Sequence, residues 1–453
     1  MIVSPAPIKR LLLAALLASL LFRAGGAWAI GLLQAYDEAL QNDPTYRSAV
    51  YENKAGQENR AIGLSSLLPN LSMSYATNRN LLDMTTITNQ GSYSSQPNYN
   101  GMVATLSLRQ PLFNLADIAR YQQGIAQAKY SQAQFSVHQQ EFVVRLVSAY
   151  TDALYAEDQV TLAKAQGDAF EEQMRVNEQM FQKGEGTTTD ELEAQSKLAL
   201  SQAQLIESND NLETARRTLA TIVGKDVTQL DHLSGTFQVQ IMQPGSFEDW
   251  KDIALANNAE LTAQRYAVEA SLQEMKKNRS GHMPQMDLVA SISKNNAGSI
   301  YTYNQDMTVR SIGVEVSMPL YAGGYVSAMT SQADANYQRA KADLDDKTNK
   351  VLIELHKQFS LVLSSGARVN ALVKAVDSSR LLVQATRQSI KGGVRTNLDL
   401  LNAQQQYYMA LRDLAQARYN YLLSYLRLRL TGGTLSGGDL QKIAGYFVPA
   451  DWP

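Results

Sequence analysis

One turn is written twice in this chain. Phe181–Gln195 reads FQKGEGTTTDELEAQ, and Ile390–Gln404 reads IKGGVRTNLDLLNAQ. The two share Gly184 and Gly393, Thr187 and Thr396, Asp190 and Asp399, Leu192 and Leu401, and a closing Ala-Gln. The correspondence continues outside the turn. ALQNDPTYRSA (Ala39–Ala49) matches ALANNAELTAQ (Ala254–Gln264), Pro69 matches Pro284, and Pro111-Leu112-Phe113 matches Pro319-Leu320-Tyr321, in the same order. A unit of ~210 residues is therefore duplicated, and a short-period solenoid is excluded. The divisions that follow are a first repeat over 30–222, a connector over 223–246, a second repeat over 247–432 and a C-terminal tail over 433–453.

Each repeat changes character along its length. Residues 114–182 and 322–391 lack proline. In the first, Phe142, Leu146, Ala149, Ala153, Ala156, Val160, Ala163, Gly167, Phe170 and Met174 alternate four and three apart, which is a coiled-coil seam. Each of these segments would reach about 100 Å as one unbroken helix at 1.5 Å per residue. Segments 187–222 and 396–430, and also 31–62 and 247–280, read as helices of about half that length, so two stacked end to end would match a long one. The repeated turn is then where a long helix reverses into a short one. Gly184 and Gly393 supply the positive φ of a helix stop, and the threonines or Asn397 cap the next helix.

At the other end of each long helix the period falls to two. NLSMSYATN (Asn70–Asn78), GMVATLSLRQ (Gly101–Gln110), QMDLVASISK (Gln285–Lys294) and SIGVEVSM (Ser311–Met318) each alternate an apolar with a mainly small or polar set. Their length suits a membrane crossing in a β-barrel, about 9–11 residues. Leu106 and Val314 belong to the lipid-facing set and Thr105 to the lumen-facing one. Pro69, Pro111, Pro284 and Pro319 read as strand–helix junctions, Phe113 and Tyr321 as interfacial anchors, and 79–100 and 295–307 as polar loops. Four strands alone leave two open edges, which hydrocarbon does not tolerate. The edges close if three copies contribute four strands each to a twelve-stranded barrel. A soluble β-layer with one wet face is the competing interpretation.

The amino terminus reads as an export signal over 1–29: Lys9 and Arg10, the apolar run Leu11–Phe22, and the Ala27-Trp28-Ala29 cleavage site. A twelve-residue run is too short to span a bilayer, which needs roughly 20, and no other apolar run is expected to reach transmembrane length, so any membrane contact must use something other than a helix. The absence of cysteine excludes disulfides, thiolate metal sites, a catalytic thiol and an N-terminal lipid-bearing cysteine. The four histidines are scattered without metal-ligand spacing, and a net charge of −2 offers no basic field for nucleic acid. No phosphate loop, nucleophile elbow or acid–base carboxylate pair is present. The chain is not expected to be an enzyme, to carry a cofactor or to bind nucleic acid, and any energy for transport has to come from a partner.

The GVRTNLDLLNAQ turn, the ARYNYLLSYLRLRLTG helix end (Ala417–Gly432) and the paired Pro-Leu-aromatic junctions resemble the TolC-like outer-membrane channel-tunnel proteins of Gram-negative bacteria. The resemblance covers the whole exported chain. It implies a mainly α fold with a small β part: long coiled-coil helices forming an α-barrel in the periplasm, and four strands per chain completing a homotrimeric, twelve-stranded outer-membrane β-barrel. The connector 223–246 would be its equatorial region. It also implies a periplasmic adaptor, an inner-membrane ABC transporter, outer-membrane lipid, and an exported polypeptide in transit, as in the type I secretion branch that exports proteases and haem-binding proteins. A proton-driven drug-efflux channel is the alternative, and a coiled-coil envelope spacer a remoter one. By position, Thr189 and Asp190 match the family's acceptor side of a closed tip, Arg395 its arginine and Asp399 its first lining aspartate. Asn402 stands where a second lining aspartate is expected, and Ile390 where a tyrosine is expected. The first departure weakens any divalent-cation block, and the second weakens one gate link.

Overall fold

The computed structural model describes residues 30–184, 187–235, 237–240, 242–297 and 305–449. The export signal lies outside these residues, as do the middle of the 295–307 loop and the last residues of the tail. Two compact units divide the chain, with boundaries at Ala49/Val50, Ser136/Val137, Asn258/Ala259 and Asn349/Lys350.

The fold is mainly helical with a small sheet part. The helices are α1 (Leu32–Asn42), α2 (Pro44–Gln57), α3 (Asn59–Ser65), α4 (Leu115–Gln182), α5 (Thr188–Val223), α6 (Phe247–Asn257), α7 (Ala259–Arg279), α8 (Tyr325–Lys391), α9 (Asn397–Thr431) and α10 (Gly437–Ala444). The proline-free segments are the two long helices, of 68 and 67 residues. The helices expected over 31–62 and 247–280 are instead broken. Asp43 ends α1, and its carboxylate accepts from the backbone N–H of Tyr46 at 3.0 Å, so it starts α2 as well. Pro44, which has no N–H to lose, then takes the first helical position. Asn258 marks the corresponding break, with its side-chain amide donating to the Thr431 carbonyl at 2.8 Å. α8 also holds one 18-residue window apolar enough to cross a membrane by length and composition, which the short apolar runs of the sequence did not suggest.

The unit holding residues 137–258 has its core along the coiled-coil seam. Phe142, Leu146, Ala149, Ala153, Ala156, Ala163 and Phe170 are all buried. Phe142, Leu146, Ala149 and Ala153 share one cluster with Leu219 and Val223 of α5 and Leu414, Ala417, Tyr421, Leu422 and Leu426 of α9. Small residues on the seam let the helices approach closely, and large ones fill the spaces opposite. Tyr150 lies at the centre of this core. Its hydroxyl donates to the Ile30 carbonyl at 2.9 Å and accepts from the Asp231 N–H at 3.0 Å, which ties the start of the described chain to the connector. Tyr150→Phe is expected to cost about 1–3 kcal/mol because two buried backbone groups lose their partner. Thermal unfolding of the detergent-solubilised protein measures this, and an unchanged midpoint would show that water replaces the hydroxyl.

The other unit contains the sheet. Strands β1 (Asn70–Leu81), β4 (Asn98–Phe113), β6 (Gln285–Asn296) and β7 (Asp306–Ser317) pair antiparallel in the order β1-β4-β6-β7. The outer strands β1 and β7 are left as open edges within one chain. Between β1 and β4, part of the segment expected to be loop forms the hairpin β2 (Met84–Thr88) and β3 (Gly91–Ser95). Pro111 is inside β4 rather than at its junction with the helix. The ladder with β6 shifts register between Pro111 and Phe113, as a residue without an N–H requires. Two short strands, β5 (His232–Leu233) and β8 (Phe447–Val448), pair in the first unit.

The register sorts the sheet's side chains onto two faces. Leu71, Leu108, Ala290 and Ile312 form one cross-strand row of the apolar face, and Met73, Leu106, Ile292 and Arg310 the next. The opposite face carries hydroxyl pairs: Ser72 with Ser107 at 2.7 Å, Thr105 with Ser293 at 3.0 Å, and Ser291 with Ser311 at 2.8 Å. It also carries an ion pair between Arg109 and the buried Asp287 at 2.6 Å. Most of the large residues of the apolar face are uncovered, with Met73 and Ile312 both 76% exposed.

Candidate gate at the repeated turns

The two repeated turns adopt the same local geometry. Gly184 ends α4 at φ +77° and Gly393 follows α8 at φ +72°, values that favour glycine. Gly184 N–H donates to Phe181 O at 2.9 Å and Gly393 N–H to Ile390 O at 3.0 Å; Val394 N–H adds a bond to Ser389 O at 3.0 Å. This is the hydrogen-bond pattern that closes a helix end on a left-handed residue.

Each following helix opens with a capping box. The Thr187 side chain accepts from Asp190 N–H, and the Asp190 carboxylate accepts from Thr187 N–H. Thr396 and Asp399 repeat the arrangement at the start of α9. The shared threonine and aspartate thus have a common local cause, since each box satisfies two donors that a helix start leaves free. The caps are the threonines, and Asn397 is instead the first residue of α9, its amide directed at the Met180 sulfur at 3.5 Å.

Behind the turns, Phe170, Ala194 and Leu401 form a small apolar cluster with Met174 and Leu198 against it. Asn177 adds a tie by donating to Asp190 O at 2.9 Å. The two tips are therefore anchored by packing, while their polar residues face outward: Thr189, Arg395 and Asn402 are exposed, and Asp190 and Asp399 are half-buried.

Within one chain Arg395 meets Asp399, at 3.4 Å and one helical turn apart, and not Asp190. The Asp399 carboxyl is held below its ordinary pKa first by the Thr396 backbone N–H, then by the Thr396 hydroxyl, with Arg395 a smaller contributor. A pair this exposed is screened by solvent and contributes little to stability. Among the described residues, no ion pair joins Arg395 to Asp190, and Thr189 and Asn402 have no side-chain hydrogen bond.

Sequence reasoning did not identify a buried polar cluster in the same unit. Asp158 accepts from the Tyr419 hydroxyl at 2.8 Å, and Glu157 pairs with Arg216 at 3.3 Å. Burial pushes the Asp158 carboxyl above its ordinary pKa, against the lowering effect of Tyr419, His232 and Arg418. The only signal in the sequence was two adjacent acids beside a coiled-coil seam, and their partners are separated from them by tens to hundreds of residues.

Long antiparallel helices together with an open four-stranded sheet, apolar on one face and hydroxylated on the other, define a subunit of an outer-membrane channel. The sequence profile of the outer membrane efflux protein family matches residues 35–225 and 250–434, and the chain belongs to that family. It is an outer-membrane channel protein and not an enzyme. It is 42% identical over 429 residues to the alkaline protease secretion protein AprF of Pseudomonas aeruginosa, covering 94% of this chain and 89% of that protein. It is 38% identical to the proteases secretion protein PrtF of Dickeya chrysanthemi, covering 94% and 93%. The solved outer membrane protein VceC of Vibrio cholerae shares the fold, with a TM-score of 0.76 at 18% identity, covering 89% of this chain and 96% of that one.

Proposed function

We propose that this chain forms the outer-membrane exit channel of a type I protein secretion system: a homotrimer with a twelve-stranded barrel and a periplasmic helical tunnel, joined through an adaptor to an ABC transporter. The observation that carries this reading is the 42% identity, over nearly the whole chain, with a protein named for alkaline protease secretion. The open edges β1 and β7 support trimerisation, because an outer-membrane sheet has to close. So does α8, where Ile353, Leu363 and Leu381 are more than half exposed and a helical cylinder built with further copies would cover them. The duplicated unit gains support from the family profile, which matches two stretches of similar length. The same wide coverage is consistent with drug-efflux relatives, so a proton-driven pump remains the second reading.

The channel is passive. Its cargo moves through a hydrated bore lined by the hydroxylated sheet face and the helices, and its gate is the ring of six repeated turns, two from each chain. The capping boxes and the cluster at Phe170 hold each turn's shape. Arg395, with Asp399 in its own chain, would reach Thr189 and Asp190 of a neighbouring turn, and Asp399 and Asn402 would line the bore. Links that are individually weak, multiplied around the ring, hold a closed state that a docking partner can open by offering competing contacts.

Arg395→Ser combined with Asp190→Ala is accordingly expected to raise resting single-channel conductance in planar bilayers and to sensitise cells to large antibiotics. If conductance is unchanged while the trimer still assembles, these two residues only shape the turn. The pH response follows from the lowered Asp399 pKa. The stabilisation from that carboxylate is present above its ordinary range and is lost as pH falls through its depressed value. Because that lowering comes mainly from Thr396 of the same turn, it is the cap at the start of α9 that should weaken, and only in acid below the usual carboxylate range.

A further inference from the structure

We propose that the apolar face of the sheet holds one phosphorylated lipid per chain, with an acyl chain in a groove across the strands and its phosphate gripped by Arg310 and Lys294. This rests on the outer-membrane barrel reading given above. The groove has a volume of about 320 Å³, and its lining includes Leu71, Leu106, Leu108, Ile292 and Ile312, with Arg310 as its one charged residue.

Arg310 lies directly opposite Ile292, and Lys294 is the next residue along β6 on the same face. The two cations are therefore diagonal cross-strand neighbours, roughly 7–8 Å apart at their backbones and within joint reach of one group. Among the described residues neither forms an ion pair or a side-chain hydrogen bond. The carboxylate on the same face, Asp306, is opposite Asn296 and accepts from its amide at 3.2 Å. It is four residues from Arg310 along β7, about 13 Å at 3.3 Å per residue.

Two adjacent, unpaired cations on a face otherwise built for hydrocarbon repel each other and cost free energy there unless an anion joins them. A phosphate does so with short, charge-assisted hydrogen bonds that Arg forms in bidentate geometry. The groove beside Arg310 extends toward Leu71 and Ile312, so one molecule with an anionic head and a saturated tail satisfies both features. A free phosphate would leave the groove empty, and an unphosphorylated lipid would leave the cations unpaired.

The test uses the purified full-length trimer in maltoside detergent, given either bisphosphorylated lipid A or the same lipid after enzymatic dephosphorylation, with bound lipids counted by native mass spectrometry. The expected result is at least tenfold greater retention of the phosphorylated form, up to three per trimer, undiminished by millimolar inorganic phosphate. In Lys294→Gln/Arg310→Gln that preference should vanish while weak, phosphate-independent retention persists. Equal retention of the two lipids by the wild type overturns the proposal, whether or not the double variant assembles. An unchanged preference in an assembled double variant overturns it as well. A wild-type protein that neither trimerises nor enters bilayers would instead contradict the channel reading itself.

Discussion

Val314→Arg is expected to abolish recovery of assembled trimer from outer membranes, while Thr105→Arg leaves it intact. Val314 is on the apolar face in the register that also places Leu288 and Ile312 there, and it is 57% exposed in the single chain. An arginine near the bilayer midplane of a barrel costs about 2–4 kcal/mol, and three copies in one barrel would bring this to roughly 6–12 kcal/mol. The structure also ranks the positions. Arg310 already occupies the row of Leu106, whereas Val314 is four residues farther from the β6–β7 loop on the same face. Leu106→Arg should therefore be milder than Val314→Arg. Thr105 is on the hydroxylated face beside Ser293, where the water-filled bore of the proposed barrel would accept a charge. Membrane fractionation followed by unheated gel electrophoresis reads all three variants, and equal defects at Thr105 and Val314 would mean that the strand register is wrong.

The second large effect lies in the helical core. Trp250 is completely buried in α6, and its indole N–H donates to the Pro244 carbonyl at 2.9 Å. A side chain at Gly432 would meet its ring at 2.9 Å, so the indole fills the space that glycine leaves beside the end of α9. Trp250→Ala is expected to cost about 3–5 kcal/mol through lost burial and the cavity left behind. On a unit of this size that lowers the midpoint of thermal unfolding by on the order of 10 °C. Circular dichroism of the purified protein measures it. A shift within about 2 °C, the scale of less than 1 kcal/mol in a unit of this size, would show that this junction contributes little to the stability of the unit. Trp250→Phe, which keeps one six-membered aromatic ring and loses the pyrrole ring with its N–H, should fall between the two.

The elements legible in the sequence were those whose cause is local. Period-two alternation gave the four strands and their faces because a pleated strand alternates regardless of its partners. Gly184, Gly393, Thr187 and Thr396 could be read as turn and cap because their hydrogen bonds span only three to five residues, whereas the part Asp190 and Asp399 play in the capping boxes was not read. The missed features depend on longer-range geometry or on one strong residue. The break at Asp43 needed both Pro44 and a carboxylate free to cap. The proline at 111 was assigned to a junction, yet a register shift accommodates it inside β4. The Arg109–Asp287 pair joins residues 178 positions apart, and no local pattern announces it. At the gate, the family pattern offered both Asp190 and Asp399 as partners of Arg395, and within one chain Arg395 meets Asp399, one helical turn away.

The most direct test of the secretion reading is deletion of this gene in its parent bacterium, followed by proteomic comparison of culture supernatant and cells, with plasmid complementation. The account predicts that a small set of large polypeptides disappears from the supernatant and returns with the wild-type gene, and does not return with Val314→Arg. An unchanged supernatant, accompanied by greater sensitivity to small toxic compounds, would contradict it and make the channel a drug-efflux exit.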